Sequence, residues 1–453
     1  MTHVHLIGIG GTGLSAIARL LIERGFFVSG SDQASNPRLV ELERAGAIIY
    51  RGHHADNIRG ANIIVRSSAV LDDNPEVAAA HSRGIPVYKR SDFLGRLMGG
   101  TTGIAIAGTH GKTTTTAMIA WILKDSGLDP SYIIGSTSHN LGANAHSGSG
   151  PFVIEADEYD YMFLGLEPQI EVLTTVEYDH ADCFPTVQEY REAFARFIER
   201  MQPGGTLVAC IDDPISILLA RGITPDQHLV TYGLSPTADY SAGALQNHPG
   251  SGYSFDVLKG GRKIAHVDLQ VPGIHNVRNS LGALAASALV KVTPDQAVKS
   301  LSAFTGASRR FEIIGESHGV VLISDYAHHP TEIRTTLAAA RARHPHQRIW
   351  VVWQPHTFSR TKSLLNEFAN SFSDADCVII TAIYAARDSD PYFSAQQVVD
   401  NMDHPSAVYI PDMDDVTSHL FTSVRSGDVV LVLSAGDADR ILPALLQQLE
   451  GKD

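Results

Sequence analysis

The chain has 453 residues, of which 44% are apolar and 19% charged, and its formal net charge is −14. This length exceeds what one hydrophobic core can serve, and it predicts about three domains. No apolar run reaches the roughly 18 residues that a membrane span needs, and an acidic chain is poorly suited to the phosphate backbone of nucleic acid. We therefore expect a globular protein with neither a membrane nor a nucleic-acid partner.

The start of the chain and its cysteines predict a cytoplasmic protein. Residues 3–7 have the pattern of a first core strand and lack the basic and apolar regions of a cleavable export signal. Cys183, Cys210 and Cys377 lie far apart, without metal-binding spacing. Such sparse cysteines suit a reducing compartment, so we expect no disulfide framework.

Strand-like and helix-like stretches alternate through most of the chain, which predicts an α/β fold with parallel sheets covered by helices. We predict three units, at residues 1–99, 100–308 and 309–453. The first and third units have the pattern of doubly wound sheets. Within the central unit, residues 239–271 show short alternating stretches with glycine turns, which predict a small antiparallel appendage.

A glycine motif opens the first unit. Gly8, Gly10 and Gly13 form a G-x-G-x-x-G pattern between a first strand and a helix, and a second strand at 27–32 ends in Asp32. This arrangement brings backbone N–H groups at a helix N-terminus close to a diphosphate. Taken alone, the motif also fits an NAD-dependent dehydrogenase or a nucleotide-sensing module.

A phosphate-binding loop is predicted where the central unit begins, and it indicates that the protein uses ATP. The run Gly108-Thr109-His110-Gly111-Lys112-Thr113-Thr114 follows an apolar strand and opens a helix. Glycines, helix N–H groups and one lysine together form an anion site. The position six residues before the lysine is Ile106 rather than glycine, so the loop is a shorter variant. The alternative is an ordinary strand-to-helix turn.

Two acid-rich strand ends follow the loop and predict Mg²⁺. Residues 155–160 contain four acids, and residues 177–182 contain three acids and His180. Mg²⁺ bound to ATP takes a few protein oxygens, with water and phosphate completing its shell. Our predicted ligands are Thr113, Glu155 and His180. For any one acid a helix cap or a solvated loop is the alternative, and His180 could instead be a buried residue that holds the strand end.

The third unit has polar runs after two successive strands, at 325–332 and 354–361. Carboxyl ends of parallel strands meet at one edge of a sheet, so these runs predict a binding wall for a small zwitterion or a nucleotide. Arg310 lies where the second and third units join. We expect it to reach the ATP phosphates when the units close, although an arginine pair in a linker can simply be solvated.

The complete set of motifs resembles the Mur ligases, and the resemblance spans the whole chain. The runs that carry it are residues 108–114, 155–158, 179–182, 272–279, 309–311, 325–332 and 354–361. The resemblance implies a UDP-binding Rossmann-like domain, a central ATP-binding domain and a C-terminal Rossmann-like domain that binds an amino acid. It further implies a cytoplasmic enzyme of peptidoglycan synthesis, as a monomer or a homodimer.

The resemblance implies an ATP-dependent reaction that joins L-alanine to the lactyl carboxylate of UDP-N-acetylmuramate through an acyl phosphate. The run 354–361 favours L-alanine as the acceptor. Ligation of a recycled L-alanyl-γ-D-glutamyl-diaminopimelate tripeptide is the alternative. Two departures from family patterns are Phe194, where some members carry a carbamoylated lysine, and Thr357, where some carry arginine.

The resemblance also implies roles for individual residues. The catalytic residues would be Lys112, His180 and Arg310. The loop at 108–114 would bind ATP, together with His275, Asn276, Asn279 and Tyr326. The UDP-substrate would contact Gly8, Gly10, Gly11, Thr12, Gly13, Ser31, Asp32, Ser67 and Ser68. The amino acid would face His328 and Arg360.

Overall fold

The computed structural model describes residues 1–386 and 388–451, and its first sheet is entirely parallel. The strands of this sheet are β1 (His3–Ile7), β2 (Phe27–Asp32), β3 (Ile48–Arg51), β4 (Ile63–Arg66) and β5 (Val87–Lys89), in the order β3-β2-β1-β4-β5. Its helices are α1 (Thr12–Glu23), α2 (Pro37–Arg44), α3 (Pro75–Ser82) and α4 (Arg90–Met98). Strand order reverses beside β1, so the first glycine motif lies at the position where such sheets bind ligands.

The second sheet has ten strands and is mostly parallel in its centre. The strands are β6 (Gly103–Ala107), β7 (Ser131–Ser138), β8 (Ala143–His146), β9 (Phe152–Glu155), β10 (Ile170–Leu173), β11 (Thr206–Cys210), β12 (His228–Gly233), β13 (Tyr240–Asn247), β14 (Tyr253–Lys259) and β15 (Arg262–Leu269). Their order is β15-β14-β13-β12-β11-β10-β6-β9-β7-β8. The helices are α5 (Lys112–Asp125), α6 (Val187–Ile198), α7 (Pro214–Ala220), α8 (Ile274–Leu289) and α9 (Pro294–Ser302).

The second sheet adds two features to the sequence prediction. The antiparallel strands β13 to β15 are present, but they extend the main sheet, because β12 pairs with β13 in parallel through Tyr232 with Tyr240 and Gly233 with Ser241. The antiparallel pair β7 and β8 was not predicted. Its second strand, Ala-Asn-Ala-His, has none of the β-branched or aromatic residues that mark a strand in a sequence.

The hydrophobic core of the second sheet holds both ends of the phosphate loop. Every residue of β6 is buried, as expected for a central strand covered on both faces. Helices α5 and α8 pack together over one face, with Met118 and Ile122 of α5 and Leu281 and Ala285 of α8 in one hydrophobic cluster. The loop between β6 and α5 therefore starts and ends on buried elements.

The third sheet carries one antiparallel edge strand. Its strands are β16 (Glu312–Ser317), β17 (Val320–Asp325), β18 (Ile349–Gln354), β19 (Cys377–Ile380), β20 (Ala407–Tyr409) and β21 (Val429–Ser434), in the order β16-β17-β21-β18-β19-β20. Its helices are α10 (Pro330–Arg343), α11 (Phe358–Ser363), α12 (Leu365–Ala369), α13 (Gln396–Asp400), α14 (Met413–Ser423) and α15 (Ile441–Glu450). Edge strands β16 and β20 were not predicted.

The chain between α9 and β16 connects the second sheet to the third, and the turn between β7 and β8 holds its first half. The Asn140 side-chain amide donates to the Ala303 carbonyl at 2.7 Å, and its oxygen accepts from the Thr305 backbone N–H at 2.9 Å. Ser138 forms an isolated bridge with Ala307. Arg309 follows with φ of 59°, in the left-handed region that non-glycine residues rarely adopt. Among the described residues, no helix is both long and apolar enough to cross a membrane.

Candidate active site between the three sheets

The phosphate loop needs glycine at two positions. Gly108 has φ of 132°, and a Cβ there would lie 2.0 Å from Thr174 Oγ1. Gly111 has φ of 83° and precedes the first residue of α5. The loop therefore turns directly from β6 into a helix N-terminus, whose free N–H groups suit a phosphate.

Hydroxyl groups hold the loop against the neighbouring strand end. Thr109 Oγ1 donates to the Glu177 carbonyl at 2.7 Å and lies 2.8 Å from the Tyr190 hydroxyl. Thr174 Oγ1 donates to the His110 carbonyl at 2.6 Å. These contacts fix the loop backbone before any ligand enters.

Lys112 is paired inside the protein. Its Nζ donates to the Gly108 carbonyl at 2.6 Å and lies 2.8 Å from Glu158 Oε2. Burial lowers the pKa of Lys112, but the carboxylates of Glu158 and Asp157 outweigh burial, so the pKa is raised overall. The lysine is therefore a buried cation, and Glu158, which was not among the predicted site residues, is its partner.

Thr113 and Glu155 form a second polar pair beside the loop. Thr113 Oγ1 donates to Glu155 Oε1 at 3.0 Å, and Glu155 Oε2 accepts from the Gly135 backbone N–H at 2.6 Å. Burial raises the pKa of Glu155, and Lys112 opposes that shift. A hydroxyl and a carboxylate are hard oxygen donors, and such donors fit Mg²⁺.

His180 lies on the other side of Lys112, next to Glu158. Its Nε2 is 3.7 Å from Glu158 Oε1, and its Nδ1 is 3.4 Å from Arg360 Nη2. The backbone φ of His180 is 57°, so the strand end is held in an uncommon conformation. Thr113 and Glu155 thus form a pair at the loop, and His180 approaches the loop through Glu158, the carboxylate that also pairs with Lys112.

A cavity separates the loop and α8 from the third sheet. The side chains of His275, Asn276 and Asn279 line it. Asn276 donates to the Pro272 carbonyl at 2.7 Å, and Asn279 donates to Asn276 Oδ1 at 3.0 Å. Burial lowers the pKa of His275 to about 4, so its imidazole is neutral near pH 7. Other residues of its lining are His110, Gly111, Thr114, Tyr232, Arg310, Thr331 and Glu332.

Arg310 reaches the loop from the third unit, and Tyr326 supports it. Arg310 Nη2 lies 3.4 Å from Thr113 Oγ1. The Tyr326 ring has the guanidinium carbons of Arg309 and Arg310 at 5.1 and 5.2 Å from its centre, within the range of a cation–π contact. Tyr326 is not among the described residues that line the cavity. Its contact with Arg310 indicates that it holds that side chain in place.

Arg360 joins the third unit to the end of β10. Its Nε donates to Asp179 Oδ1 at 2.8 Å, and its Nη1 lies 3.3 Å from His356 Nδ1. The His328 ring centre is 6.1 Å from that of His356, and burial lowers the pKa of His328 to about 3. Thr357 accepts from the Arg360 backbone N–H at 3.4 Å, so it caps α11. The two predicted amino-acid contacts thus lie on one wall.

The first glycine motif is shaped by the side chains around it. Gly8 has φ of 83°, and the Gly10 N–H donates to Asp32 Oδ2 at 2.9 Å. Gly11 precedes α1 and Thr12 begins it. A Cβ on Gly8 would lie 3.1 Å from Ser67 Cβ, which places the Ser67-Ser68 turn beside the motif.

Ser31 lies next to the glycine motif, where its carbonyl accepts from the Gly8 N–H at 2.8 Å. Its side chain is fully buried, and its hydroxyl donates to Glu76 Oε2 at 2.5 Å and lies 2.9 Å from His53 Nδ1. The hydroxyl is therefore engaged inside the first unit, beneath the glycine motif rather than at its surface.

Arg90 was missed by the sequence analysis, because an arginine at the start of a helix has no distinctive pattern. Its Nη1 occupies the space above Gly13, only 1.8 Å from where a Cβ would be. Its Nη2 lies 3.6 Å from Asp157 of the central unit. Arg90 therefore connects the first glycine motif to the acid-rich strand end beside Lys112.

Comparison with known families identifies the class of protein. A model of the Mur ligase family catalytic domain matches residues 3–102, the Mur ligase middle domain matches 106–287, and the Mur ligase glutamate ligase domain matches 309–436. Together with the whole-chain relatives below, these matches show that the chain belongs to the Mur ligase family, whose members are ATP-dependent ligases.

Three relatives show which kinds of Mur ligase this chain is similar to. The UDP-N-acetylmuramate--L-alanine ligase of Alkaliphilus metalliredigens is 40% identical, over 99% of this chain and 98% of that protein. The crystal structure of the UDP-N-acetylmuramate-alanine ligase of Thermotoga maritima superposes with a TM-score of 0.84 at 27% identity, over 100% of both chains. A murein peptide ligase from Psychrobacter arcticus gives a TM-score of 0.72 at 28% identity, over 99% of both chains. The predicted α/β fold is confirmed.

Proposed function

We propose that this chain uses ATP to join L-alanine to the lactyl carboxylate of UDP-N-acetylmuramate, in peptidoglycan synthesis. One observation carries the proposal: Arg310 of the third unit lies 3.4 Å from Thr113 beside the phosphate loop, while Arg360 of the same unit meets the adjacent strand end. A phosphoryl site and a site for a small zwitterion are thus side by side. The named ligases above provide independent support.

Each unit has its own substrate in this proposal. Residues 1–99 bind the UDP-substrate, residues 100–308 bind ATP, and residues 309–453 bind the amino acid. The diphosphate lies on the first glycine motif, since N–H groups at the start of α1 and the adjacent Arg90 favour an anion. Its contacts are Gly8, Gly10, Gly11, Thr12, Gly13, Asp32, Ser67 and Ser68, with Ser31 supporting them from below.

The ATP phosphates lie on the loop at 108–114, and the adenine lies in the cavity beside His275, Asn276 and Asn279. Lys112 exchanges Glu158 for a phosphate oxygen. Phosphoryl transfer to the lactyl carboxylate spreads negative charge over the transferring oxygens, and Lys112 and Arg310 stabilise that charge. The carboxylate becomes an acyl phosphate, which is a good acyl donor where a free carboxylate is a poor one.

Thr113, Glu155 and His180 would hold Mg²⁺, as the oxygen donors of the first two suggest. Bound Mg²⁺ supplies charge neutralisation at the phosphate oxygens. Glu155 stays oriented by the Gly135 N–H, and His180 by its contacts with Glu158 and Arg360.

The L-alanine carboxylate pairs with Arg360, and its amine faces His328. The L-alanine ammonium first loses a proton to solvent, and the neutral amine nitrogen attacks the acyl-phosphate carbonyl. The carbon–oxygen bond to phosphate then breaks, and the departing inorganic phosphate takes up the second proton that the nitrogen loses as the amide forms. A neutral His328, whose pKa is about 3, is able to accept a hydrogen bond from the amine. The enzyme works in the cytoplasm, where its nucleotide substrates occur, as a monomer or a homodimer.

Phosphate release in the presence of ATP, Mg²⁺ and UDP-N-acetylmuramate tests the proposal. L-Alanine and the L-alanyl-γ-D-glutamyl-diaminopimelate tripeptide are added in parallel reactions. We expect release with L-alanine. Phosphate release with the tripeptide alone would show that the chain ligates the recycled tripeptide. Phosphate release with neither substrate would contradict the ligase proposal.

A further inference from the structure

One histidine of the phosphate loop is held by carboxylates from two different units. His110 Nε2 lies 3.0 Å from Glu177 Oε2, just beyond β10, and His110 Nδ1 lies 3.2 Å from Glu332 Oε1 in the first turn of α10. Thr331 of α10 reaches back, and its hydroxyl donates to Glu177 Oε1 at 2.8 Å. We name His110, Glu177, Thr331 and Glu332 the clasp.

The clasp holds a proton rather than a metal. His110, Glu177 and His329 offer three ligand-type atoms within 4.8 Å of one another, but a metal would need a free lone pair on His110. Burial lowers the pKa of His110, yet Glu177 and Glu332 outweigh burial and raise it to about 9. His329 Nδ1 accepts from the Thr331 backbone N–H at 3.3 Å. The His110 ring is thus a cation with both N–H groups directed at carboxylates.

Glu332 holds two parts of the phosphate site at once. Its Oε1 meets His110 and lies 4.0 Å from Arg310 Nη1. Its Oε2 accepts from the backbone N–H groups of His328 and His329 at 3.0 and 3.2 Å, which ties it to the start of α10. A displacement of α10 therefore moves both His110 and Arg310.

We propose that the clasp sets the position of the phosphate loop, so that phosphoryl transfer from ATP requires the third unit to be in place. This inference rests on the proposed function, and it assigns the four residues as positioning residues. Small displacements of a phosphoryl site reduce chemistry more than they reduce binding, because alignment is what the transition state needs. The clasp therefore couples amino-acid-unit closure to ATP chemistry.

Kinetics of four variants test the clasp. Glu332→Gln keeps the acceptor for the α10 N–H groups but turns an NH₂ group toward the charged His110. His110→Gln keeps a donor for Glu177 and loses the bond to Glu332, and Thr331→Val removes the second bridge. We expect kcat to fall about 10- to 100-fold while KM for ATP changes less than about threefold. The double variant His110→Gln/Glu332→Gln should be no slower than the worse single variant.

Glu167→Gln is the matched control, because Glu167 is an exposed acid of the central unit whose side chain, among the described residues, pairs with Arg200 alone. It should leave kcat unchanged. If the fold-losses in kcat of the two single variants multiply in the double variant, the residues act independently and the clasp is wrong. The clasp is also wrong if each loss in kcat is explained by a smaller fraction of folded protein. If the wild-type chain has no ligase activity, solution scattering of wild type and variants with AMP-PNP tests whether the clasp holds the third unit in place. A larger radius of gyration in Thr331→Val and Glu332→Gln supports the clasp, and identical radii refute it.

Discussion

At the scale of single residues, Lys112 is the most direct test of the ATP site. In the proposed mechanism Lys112 meets the transferring phosphoryl oxygens, so we expect phosphate release by Lys112→Ala to fall by at least about 100-fold. Lys124 lies exposed in the last turn of the same helix, and Lys124→Ala is therefore the control. Activity near wild type in Lys112→Ala would remove this lysine from the site.

Glu171 is a buried acid that the proposed chemistry does not use. It lies in the middle of β10 between Ala105 of β6 and Leu207 of β11, and neither carboxyl oxygen has a hydrogen-bond partner within the described residues. Burial raises its pKa well above the ordinary value, so burial favours the neutral, protonated acid. An unpaired buried polar group costs about 1 to 3 kcal/mol.

We predict that Glu171→Leu stabilises the protein by about that amount, as an increase in the melting temperature. The sign of the pH dependence follows from the raised pKa. Above pH 4.5, the pKa of Glu171 in the unfolded chain, the unfolded chain releases a proton that the folded chain keeps. The free energy of unfolding of wild type therefore falls relative to that of Glu171→Gln as pH rises. A melting-temperature difference that stays constant from pH 4 to 8 would contradict this assignment.

At the scale of elements, the sequence predicted the buried, regular parts of the fold. Strand β6 and the glycines at 108 and 111 could be located because a central parallel strand is a continuous apolar run and a tight loop needs glycine. Edge strands β8, β16 and β20 could not, since their short, half-exposed segments lack that pattern. The pairing of Lys112 with Glu158 and the burial of Ser31 depend on three-dimensional placement, which motif spacing does not reveal.

The turn between β7 and β8 contacts the connection to the third sheet, and Asn140 makes side-chain hydrogen bonds to both Ala303 and Thr305 there. Asn140→Ala removes bonds to Ala303 and Thr305 and leaves backbone groups without their partner. Because these bonds are exposed and water can replace them, we expect a loss of about 0.5 to 1.5 kcal/mol and faster proteolysis within residues 303–308. Asn401→Ala, at the exposed end of α13, is the control. Equal cleavage rates in the two variants would show that the turn does not hold the connection.

At the scale of the whole molecule, the three units meet through charged pairs. Arg90 faces Asp157 across the first junction, while Arg360 with Asp179 and His110 with Glu332 cross the second. No unit therefore holds the complete site in the part of the chain that the structure describes. Activity depends on how the units are placed, and a domain produced alone should bind its own ligand without turnover.

The charge on His110 gives this placement a pH dependence. Glu177 and Glu332 contact the ring, and the centre of the His329 ring lies 5.0 Å from its centre. Asp213 interacts with it electrostatically, and Arg310 pairs with Glu332. Because the folded pKa of about 9 exceeds the unfolded 6.5, the stabilisation is complete below pH 6.5 and is lost as pH rises through 9. The melting-temperature gap between wild type and His110→Gln should shrink across that interval. A gap independent of pH would contradict a charged ring.

In the proposed ATP site, the ion pair between Lys112 and Glu158 makes ATP binding an exchange of one anion for another. An incoming phosphate oxygen replaces a carboxylate already 2.8 Å away, so it gains less than it would from a bare lysine. The same carboxylate returns when product departs, and the lysine is never left buried without a counter-ion. The internal acid thus moderates nucleotide affinity and lowers the barrier to product release, and both effects favour rapid turnover over tight binding.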